Sequence, residues 1–221
     1  MLQVRGLACD APGGQPLIEG LDLDVHRGGN LLVGGAGGSG KTRLMRTLAG
    51  LERPRQGEVR LGGIALWPGE GALALAGRIR MGFAFASGGL LSNLSLEANV
   101  ALPLRFLGLP GAEVTRRTDR ALAELGLEAV AALRPHAVSG SARKQANLAR
   151  ILALDPEVVL LDEPLEGLDA GDRVAALALI GAWAGEPSCT LVLASEEAHA
   201  FQGLDLATLR LSPTPAPVEP Q

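Results

Sequence analysis

Tyrosine is absent from this 221-residue sequence, and lysine occurs only twice, as Lys41 and Lys144. Long apolar runs are absent too: no stretch of about 18 uncharged apolar residues occurs, so the chain is not expected to span a membrane by itself. The opening residues, MLQVRGLACD, lack a basic region followed by an apolar run, so no signal peptide is expected.

Basic excess and cysteine motifs are also missing. Lys and Arg number 20 against 24 Asp and Glu, which gives a formal net charge of −4. Because proteins that bind DNA or RNA usually present a basic surface, nucleic acid is not an expected partner. The two cysteines, Cys9 and Cys189, lie far apart and form no metal or redox spacing. They are predicted to be buried, reduced thiols of a cytosolic protein.

Several segments have the pattern of β-strands. Residues 2–33 contain the alternating segments LQVRGL and LDLDV and the apolar segment NLLVG. GEVRLGGIALW predicts a hairpin with its turn at Gly62 and Gly63. DPEVVLLDEP and CTLVLAS contain short uncharged runs, which are typical of strands buried on both faces of a parallel sheet. The order of the segments predicts an α/β fold with a predominantly parallel sheet.

Helical spacing of apolar residues occurs in two places. It predicts helices over residues 41–51 and 112–133, with Gly50 and Pro54 ending the first. A helical insertion is expected near residues 85–150. The C-terminal segment SPTPAPVEPQ alternates proline with other residues and is predicted to be a disordered or extended tail.

A phosphate-binding loop follows the apolar strand NLLVG. The segment GAGGSGKT satisfies the pattern G-x-x-x-x-G-K-[ST] and opens the first predicted helix. Glycines let successive backbone N–H groups point at phosphate oxygens, and a helix N-terminus adds partial positive charge. A chance match in a chain with 30 glycines is the alternative, but the strand–loop–helix context favours nucleotide binding. The predicted phosphate-binding residues are Gly35, Ala36, Gly37, Gly38, Ser39, Gly40, Lys41 and Thr42, with Thr42 as a Mg²⁺ ligand.

Two acidic residues end a predicted buried strand. Asp162 is expected to hold Mg²⁺ through water, and Glu163 is expected to polarise the attacking water. An ordinary solvated loop start is the alternative for such a pair. Combined with a phosphate-binding loop, the pair instead predicts nucleotide hydrolysis with Lys41 and Glu163 as the catalytic residues.

Together these motifs resemble the ATP-binding subunits of ABC transporters. Val138–Ala142 (VSGSA) stands at the place of the LSGGQ signature, and Arg143–Arg150 is similar to the QRQRVALAR helix that follows it. Glu166–Asp169 matches the D-loop. The resemblance implies ATP and Mg²⁺ as ligands and a head-to-tail dimer with a second ABC ATPase chain, identical or different. It adds Ser139, Gly140 and Asp169 to the predicted nucleotide-binding residues.

The resemblance extends over about residues 2–212 and implies a P-loop NTPase fold. This fold has a RecA-like core with a mostly parallel sheet, an N-terminal antiparallel β lobe and an α-helical signature subdomain. The expected organisation is one nucleotide-binding domain over residues 1–212, with the helical subdomain at about 87–150, followed by the tail at 213–221.

A finer likeness lies at Phe85–Leu104, FASGGLLSNLSLEANVALPL. It is similar to the FQSGALLSNLSVFENVALPL type of segment in the ATPases of MCE-associated (Mla-type) phospholipid transporters, and lipoprotein-releasing ATPases have a related NVALPL run. The likeness implies a membrane permease bound through residues 86–104, an MCE-domain lipid-binding protein as a further partner, and a peripheral place on the cytoplasmic face of the inner membrane. The alternative is that the leucines of this segment only pack the helical lobe: Leu90, Leu91, Leu94 and Leu96.

Several positions depart from the family pattern. Ala86 stands where the Q-loop glutamine is expected, and Ser195, followed by Glu196, stands where the switch histidine is expected. His199 is a possible substitute one helical turn later, although a surface position is the favoured interpretation. In the signature, Ser141 replaces a glycine and adds a side chain where close backbone approach is expected, and Ala142 replaces the glutamine.

An aromatic ring for stacking on adenine is also missing, since no aromatic residue precedes Trp67. Its absence is expected to weaken adenine binding by about 1–3 kcal/mol. Two hypotheses follow: a slow ATPase subunit of a lipid-type ABC transporter, or a regulatory nucleotide-binding subunit that pairs with a complete ATPase. A soluble ABC protein acting on DNA or ribosomes is disfavoured, because a second nucleotide domain and a basic surface are both missing.

Overall fold

A computed structural model of the chain describes residues 1–75 and 77–212. The predicted tail at 213–221 lies outside the described residues. No helix within the described part of the chain is long and apolar enough to cross a membrane.

The N-terminal segment forms a four-stranded antiparallel sheet. Its strands are β1 (Leu2–Asp10), β2 (Pro16–Val25), β4 (Gln56–Leu61) and β5 (Ile64–Trp67), in the order β2-β1-β4-β5. The β4–β5 hairpin turns at Gly62 and Gly63, which have φ angles of 58° and 81°. Two consecutive positive φ angles suit the tight turns of twisted hairpins, so the predicted turn is confirmed.

A five-stranded parallel sheet follows, in the order β6-β7-β8-β3-β9. Its strands are β3 (Asn30–Gly34), β6 (Met81–Ala84), β7 (Val158–Asp162), β8 (Thr190–Ser195) and β9 (Ala207–Arg210). Gly34 pairs with Ser195, and Asp162 pairs with Ala194. This register brings the carboxyl ends of β3, β7 and β8 to one edge of the sheet, the edge where ligands bind in open α/β sheets.

The central strand β7 is buried along its whole length because its two faces contribute to different cores. Val158 and Leu160 belong to the core shared with the antiparallel sheet and helix α1 (Lys41–Leu48), whereas Val159 and Leu161 belong to the core under the other helices. The uncharged pattern of the segment predicts this two-sided burial. Both cysteines are free and buried, as predicted.

The remaining helices are α2 (Leu96–Phe106), α3 (Gly111–Glu124), α4 (Gly140–Leu154) and α5 (Ala170–Ala184). Helices α2, α3 and α4 pack on one another and account for the expected helical insertion. The prediction of one helix over 112–133 is wrong beyond Glu124, because Gly126 adopts a left-handed conformation with φ 65° and ends the helix. The antiparallel lobe, the parallel sheet and the helical part confirm the predicted fold class.

Candidate nucleotide-binding site

The loop between β3 and α1 forms a tight backbone cradle. Gly38 and Gly40 have φ angles of 76° and 92°, backbone conformations that residues other than glycine rarely adopt. A Cβ atom built on Gly35 would lie 2.6 Å from both Leu211 O and Ser39 Oγ. The Ser39 hydroxyl is buried and has no hydrogen-bond partner among the described residues. A buried, unpaired hydroxyl and the open N-terminus of α1 suit an anionic ligand.

Lys41 lies inside this cradle and is only 6% exposed. Its Nζ donates to Gly35 O at 2.7 Å and to Ala36 O at 3.2 Å. Two carboxylates also approach it: Glu196 Oε1 at 3.3 Å and Glu163 Oε1 at 3.5 Å. The ammonium group is therefore folded onto its own loop and is accompanied by two negative charges.

Asp162 ends strand β7 and is 1% exposed. The Thr42 hydroxyl is hydrogen-bonded to its side chain, while Oδ1 has no partner in the described part of the chain. Burial raises the pKa of Asp162, and the Thr42 hydrogen bond and then the Lys144 charge oppose that increase. A buried carboxylate oxygen without a partner, next to a hydroxyl, fits Mg²⁺, which prefers hard oxygen ligands.

Glu163 follows with a φ angle of 46°, which is uncommon for a residue other than glycine. Its backbone N–H donates to Ala194 O at 2.9 Å. Its two carboxylate oxygens accept the Glu196 N–H at 3.1 and 3.2 Å. The strained backbone and these bonds aim the side chain across the edge of the sheet toward Lys41.

One cavity of about 380 Å³ collects the phosphate-loop residues Gly37, Gly38, Gly40, Lys41 and Thr42 together with Glu163. Ala86 and Glu196 line the same cavity. Ser139, Gly140 and Asp169 do not line it. The cavity therefore brings together five of the eight predicted phosphate-loop residues and Glu163, while Gly35, Ala36, Ser39 and Asp162 do not line it.

Ser139 and Gly140 begin helix α4. The Ser139 hydroxyl caps the helix by accepting the Ala142 N–H at 3.0 Å. Asp169 caps α5 in the same way, accepting the Asp172 N–H at 3.1 Å. Both predicted residues have a local structural role at a helix N-terminus.

Ser141 has a structural role that the sequence did not reveal. Its side chain is buried, its hydroxyl donates to the Asp172 carboxylate, and it accepts the Asp169 N–H at 3.2 Å. The added side chain is therefore held between α4 and α5 of its own chain. The prediction that this position approaches a nucleotide closely stays a prediction.

Two functional candidates escaped the sequence analysis, Lys144 and Glu196. Lys144 is buried in α4, and its Nζ donates to Ala86 O at 2.8 Å. Burial lowers the pKa of Lys144, against the opposing charges of Glu166, Asp162 and Glu163. The chain thus places a buried lysine next to the backbone of Ala86, the residue predicted to stand at the Q-loop position. The sequence offered one signal for Lys144, since it is one of only two lysines in the chain.

Ser195, Glu196 and His199 follow closely at the end of β8, but their side chains have different surroundings. Ser195 is buried in the strand, and its hydroxyl accepts the Glu197 N–H at 3.1 Å. Glu196 is the residue that faces Lys41. His199 is exposed on a short 3₁₀ turn at Ala198–Phe201, and no hydrogen bond or ion pair of the described residues joins its side chain to Lys41 or Glu163. Glu196, rather than Ser195 or His199, therefore stands next to the phosphate loop.

Leucines of the segment 86–104 divide between core and surface. Leu96 is buried, and Leu90 packs against the helical core, whereas Leu91 is exposed. The fully buried Asn99 fixes the loop before α2: its Oδ1 accepts the Leu91 N–H at 2.7 Å, and its Nδ2 donates to the carbonyls of Leu91, Leu94 and Ser95. Core packing explains only part of the leucine pattern.

An apolar groove of about 470 Å³ lies behind this segment, between β6, α2 and α4. Phe106, at the end of α2, is 80% exposed beside it. The residues lining the groove are Met81, Gly82, Phe83, Leu102, Pro103, Phe106, Arg150, Ile151 and Leu154.

Comparison with known proteins identifies the class. Residues 18–166, more than half of the chain, match the ABC transporter family, and the chain therefore belongs to that family as an ABC ATPase domain. ABC ATPase domains bind ATP with Mg²⁺, form dimers and work with membrane permease subunits.

Among individual relatives, the lipoprotein-releasing system ATP-binding protein LolD of Chromohalobacter salexigens is 36% identical over 96% of this chain and 93% of its own length. The methionine import ATP-binding protein MetN of Caulobacter vibrioides is 38% identical over 85% of this chain, which spans only 56% of that relative. A dimeric post-hydrolysis structure of the ATP-binding cassette MJ0796 bound to ADP and Pi superposes with a TM-score of 0.87, covering 96% of each chain at 23% identity. At that identity the likeness shows the fold alone.

Proposed function

We propose that this chain is the ATP-binding subunit of a lipid-type ABC transporter and that it hydrolyses ATP slowly at the cavity containing Lys41 and Glu163. The observation that carries the proposal is the convergence of Lys41, Thr42, Asp162 and Glu163 at one edge of the parallel sheet. The loop Gly35–Thr42 would bind the phosphates through its backbone N–H groups.

Mg²⁺ fits the pair Thr42 and Asp162, which would hold it from a hydroxyl and a buried carboxylate oxygen. When bound, the ion neutralises charge on the phosphates. Glu163 would orient the attacking water and accept a proton from it. Its carboxylate already accepts a hydrogen bond from the Glu196 N–H, which holds it in place. Lys41 would exchange its two loop carbonyls for phosphate oxygens.

The signature residues would serve the nucleotide of a second chain. Ser139 and Gly140 form the N-terminus of α4 but lie outside the cavity with Lys41, which is the arrangement that a head-to-tail dimer requires. Asp169, at the start of α5, would lie at the same contact. The partner is either a copy of this chain or a different ABC ATPase.

The rate is expected to be low because Ala86 brings no polar side chain and Glu196 brings a negative charge to the cavity. A regulatory subunit that binds ATP and pairs with a complete ATPase is the second candidate, favoured by those same two residues. The purified chain, with and without its permease, would be assayed for phosphate release against Glu163→Gln. Release well above that variant supports hydrolysis. Equal release with retained binding of labelled ATP supports the regulatory subunit.

The apolar groove would receive a membrane permease subunit, and such a contact would hold the chain at the cytoplasmic face of the inner membrane. It adjoins segment 86–104, and the exposed ring of Phe106 offers an apolar anchor of the kind that dominates interfaces. Phe106→Ser is expected to abolish co-purification with the permease. The matched control is Leu73→Ser, since Leu73 is 77% exposed on a different part of the surface. Equal retention by both variants would contradict this docking site.

A lipid-type cargo is supported by the similarity to LolD over nearly the whole chain and by the Mla-like segment Phe85–Leu104. The similarity to MetN favours a small polar cargo as the alternative. A lipid cargo predicts that phospholipid or lipoprotein in proteoliposomes stimulates phosphate release by the assembled transporter, whereas methionine does not. An MCE-domain lipid-binding protein would be the further partner, and its co-purification with the complex tests that part of the proposal.

A further inference from the structure

Two carboxylates face the single lysine of the phosphate loop, and only one of them has a role in the proposed function. Glu163 Oε1 lies 3.5 Å from Lys41 Nζ, and Glu196 Oε1 lies closer, at 3.3 Å. Arg43, which also lines the cavity, is paired with Glu52 at 3.0 Å. The charge of Lys41 is therefore offset before any ligand arrives.

The fold places Glu196 there. Ser195 is the last residue of β8 and pairs with Gly34, the last residue of β3, so residue 196 leaves the sheet beside the start of the phosphate loop. The Glu163 carboxylate then holds the backbone N–H of Glu196. The position of this residue is therefore set by the strand pairing of the residue before it and by the Glu163 carboxylate.

The side chain of Glu196 extends over the glycines of the loop. A Cβ atom built on Gly37 would lie 3.3 Å from Glu196 Oε1, so this oxygen rests against the loop backbone as well as on Lys41. A carboxylate oxygen and a phosphate oxygen seek the same donors, namely the ammonium group and the backbone N–H groups of the loop. The Glu196 carboxylate therefore competes with an outer phosphate of the nucleotide for the same donors.

We propose that Glu196 is a specificity-determining residue of the nucleotide site, which competes for Lys41 and so weakens the binding of nucleoside triphosphates more than that of diphosphates. The proposal rests on the proposed function of the loop. The side chain is 55% exposed and can swing away, but its charge then still lies near the terminal phosphate. A diphosphate lacks that group and meets less repulsion.

Glu196→Gln keeps the size of the side chain and one acceptor oxygen and removes its charge. The matched control is Glu197→Gln, which makes the same change one residue along the chain, where the carboxylate pairs with Arg173 on α5. Calorimetric titrations would measure the affinities of each protein for the nonhydrolysable triphosphate AMP-PNP and for ADP, both with Mg²⁺. Glu196→Ala and thermal unfolding of all variants guard against a folding defect.

Glu196→Gln is expected to tighten AMP-PNP binding by up to about fivefold, the upper end for a partly exposed charge, and to change ADP binding by less than about twofold. Glu197→Gln should leave the ratio of the two affinities unchanged. A ratio that stays at the wild-type value in both Glu196 variants, while nucleotides still bind, overturns this inference alone. If neither nucleotide binds to the wild type or to the variants, the proposed function of the loop fails as well.

Discussion

Replacing Ser141 by the glycine expected in the signature should lower the stability of the protein rather than raise its ATPase activity. The Ser141 hydroxyl donates to the Asp172 carboxylate and accepts the Asp169 N–H, and its side chain is buried. A hydrogen bond to a charged group contributes about 1.5–3 kcal/mol, and a neutral one contributes about 1 kcal/mol. Glycine within a helix costs up to about 1 kcal/mol relative to alanine. Ser141→Gly is therefore expected to lower the free energy of unfolding by about 2.5–5 kcal/mol.

Urea unfolding followed by circular dichroism measures this loss. Ser141→Ala separates the two contributions, since it removes the hydroxyl and keeps the helix propensity, and it should account for most of the effect. Ser188→Ala is the matched control because Ser188 bonds only to the exposed Glu186 beside it, and it should change stability by less than about 0.5 kcal/mol. A Ser141→Gly protein that is as stable as the wild type and turns over ATP faster would refute the reasoning.

Two further predictions concern buried polar groups. Asp162→Asn should stabilise the nucleotide-free protein at pH 7, because burial raises the pKa of Asp162 and its ionisation costs stability once the pH exceeds the folded-state pKa. The cost builds up as the pH rises from the ordinary pKa of an aspartate, about 3.9, to the raised folded-state pKa, so the advantage of Asp162→Asn should disappear below about pH 3.9. A stability difference between the two proteins that stays constant from about pH 3 to 7 in thermal unfolding would contradict the assignment. Asn99→Ala should cost about 2–4 kcal/mol by removing four hydrogen bonds of a buried side chain, and it should loosen the loop at 91–95, as measured by hydrogen exchange. Exchange in that loop equal to that of the wild type would show that Asn99 does not hold it.

Local patterns predicted the phosphate loop and the strand that ends at Asp162. Each of these features depends on residues adjacent in sequence, where the spacing of glycines, apolar residues and acids carries the information. The end of α3 at Glu124 was missed because one glycine in a left-handed conformation outweighed the continuing apolar pattern.

Glu196, Ser141 and Lys144 could not be assigned in the same way. Glu196 reaches Lys41 only because β3 and β8 pair with Gly34 opposite Ser195, a register that the sequence does not state. Ser141 faces Asp172 because α4 packs on α5, and Lys144 reaches Ala86 because α4 lies against the end of β6. Direction and partner of a side chain are properties of packing between distant segments, so they become visible only in the folded chain.

The central claim is that the cavity around Lys41 binds ATP with Mg²⁺. Calorimetric titration of the wild type and of Lys41→Ala with Mg²⁺ and ATP tests it most directly, with thermal unfolding as a check on folding. Because Lys41 would make a charge-assisted bond to phosphate, its loss should weaken binding by about ten- to hundredfold. Equal affinity of the two proteins, or no binding to a folded wild type, would contradict the account.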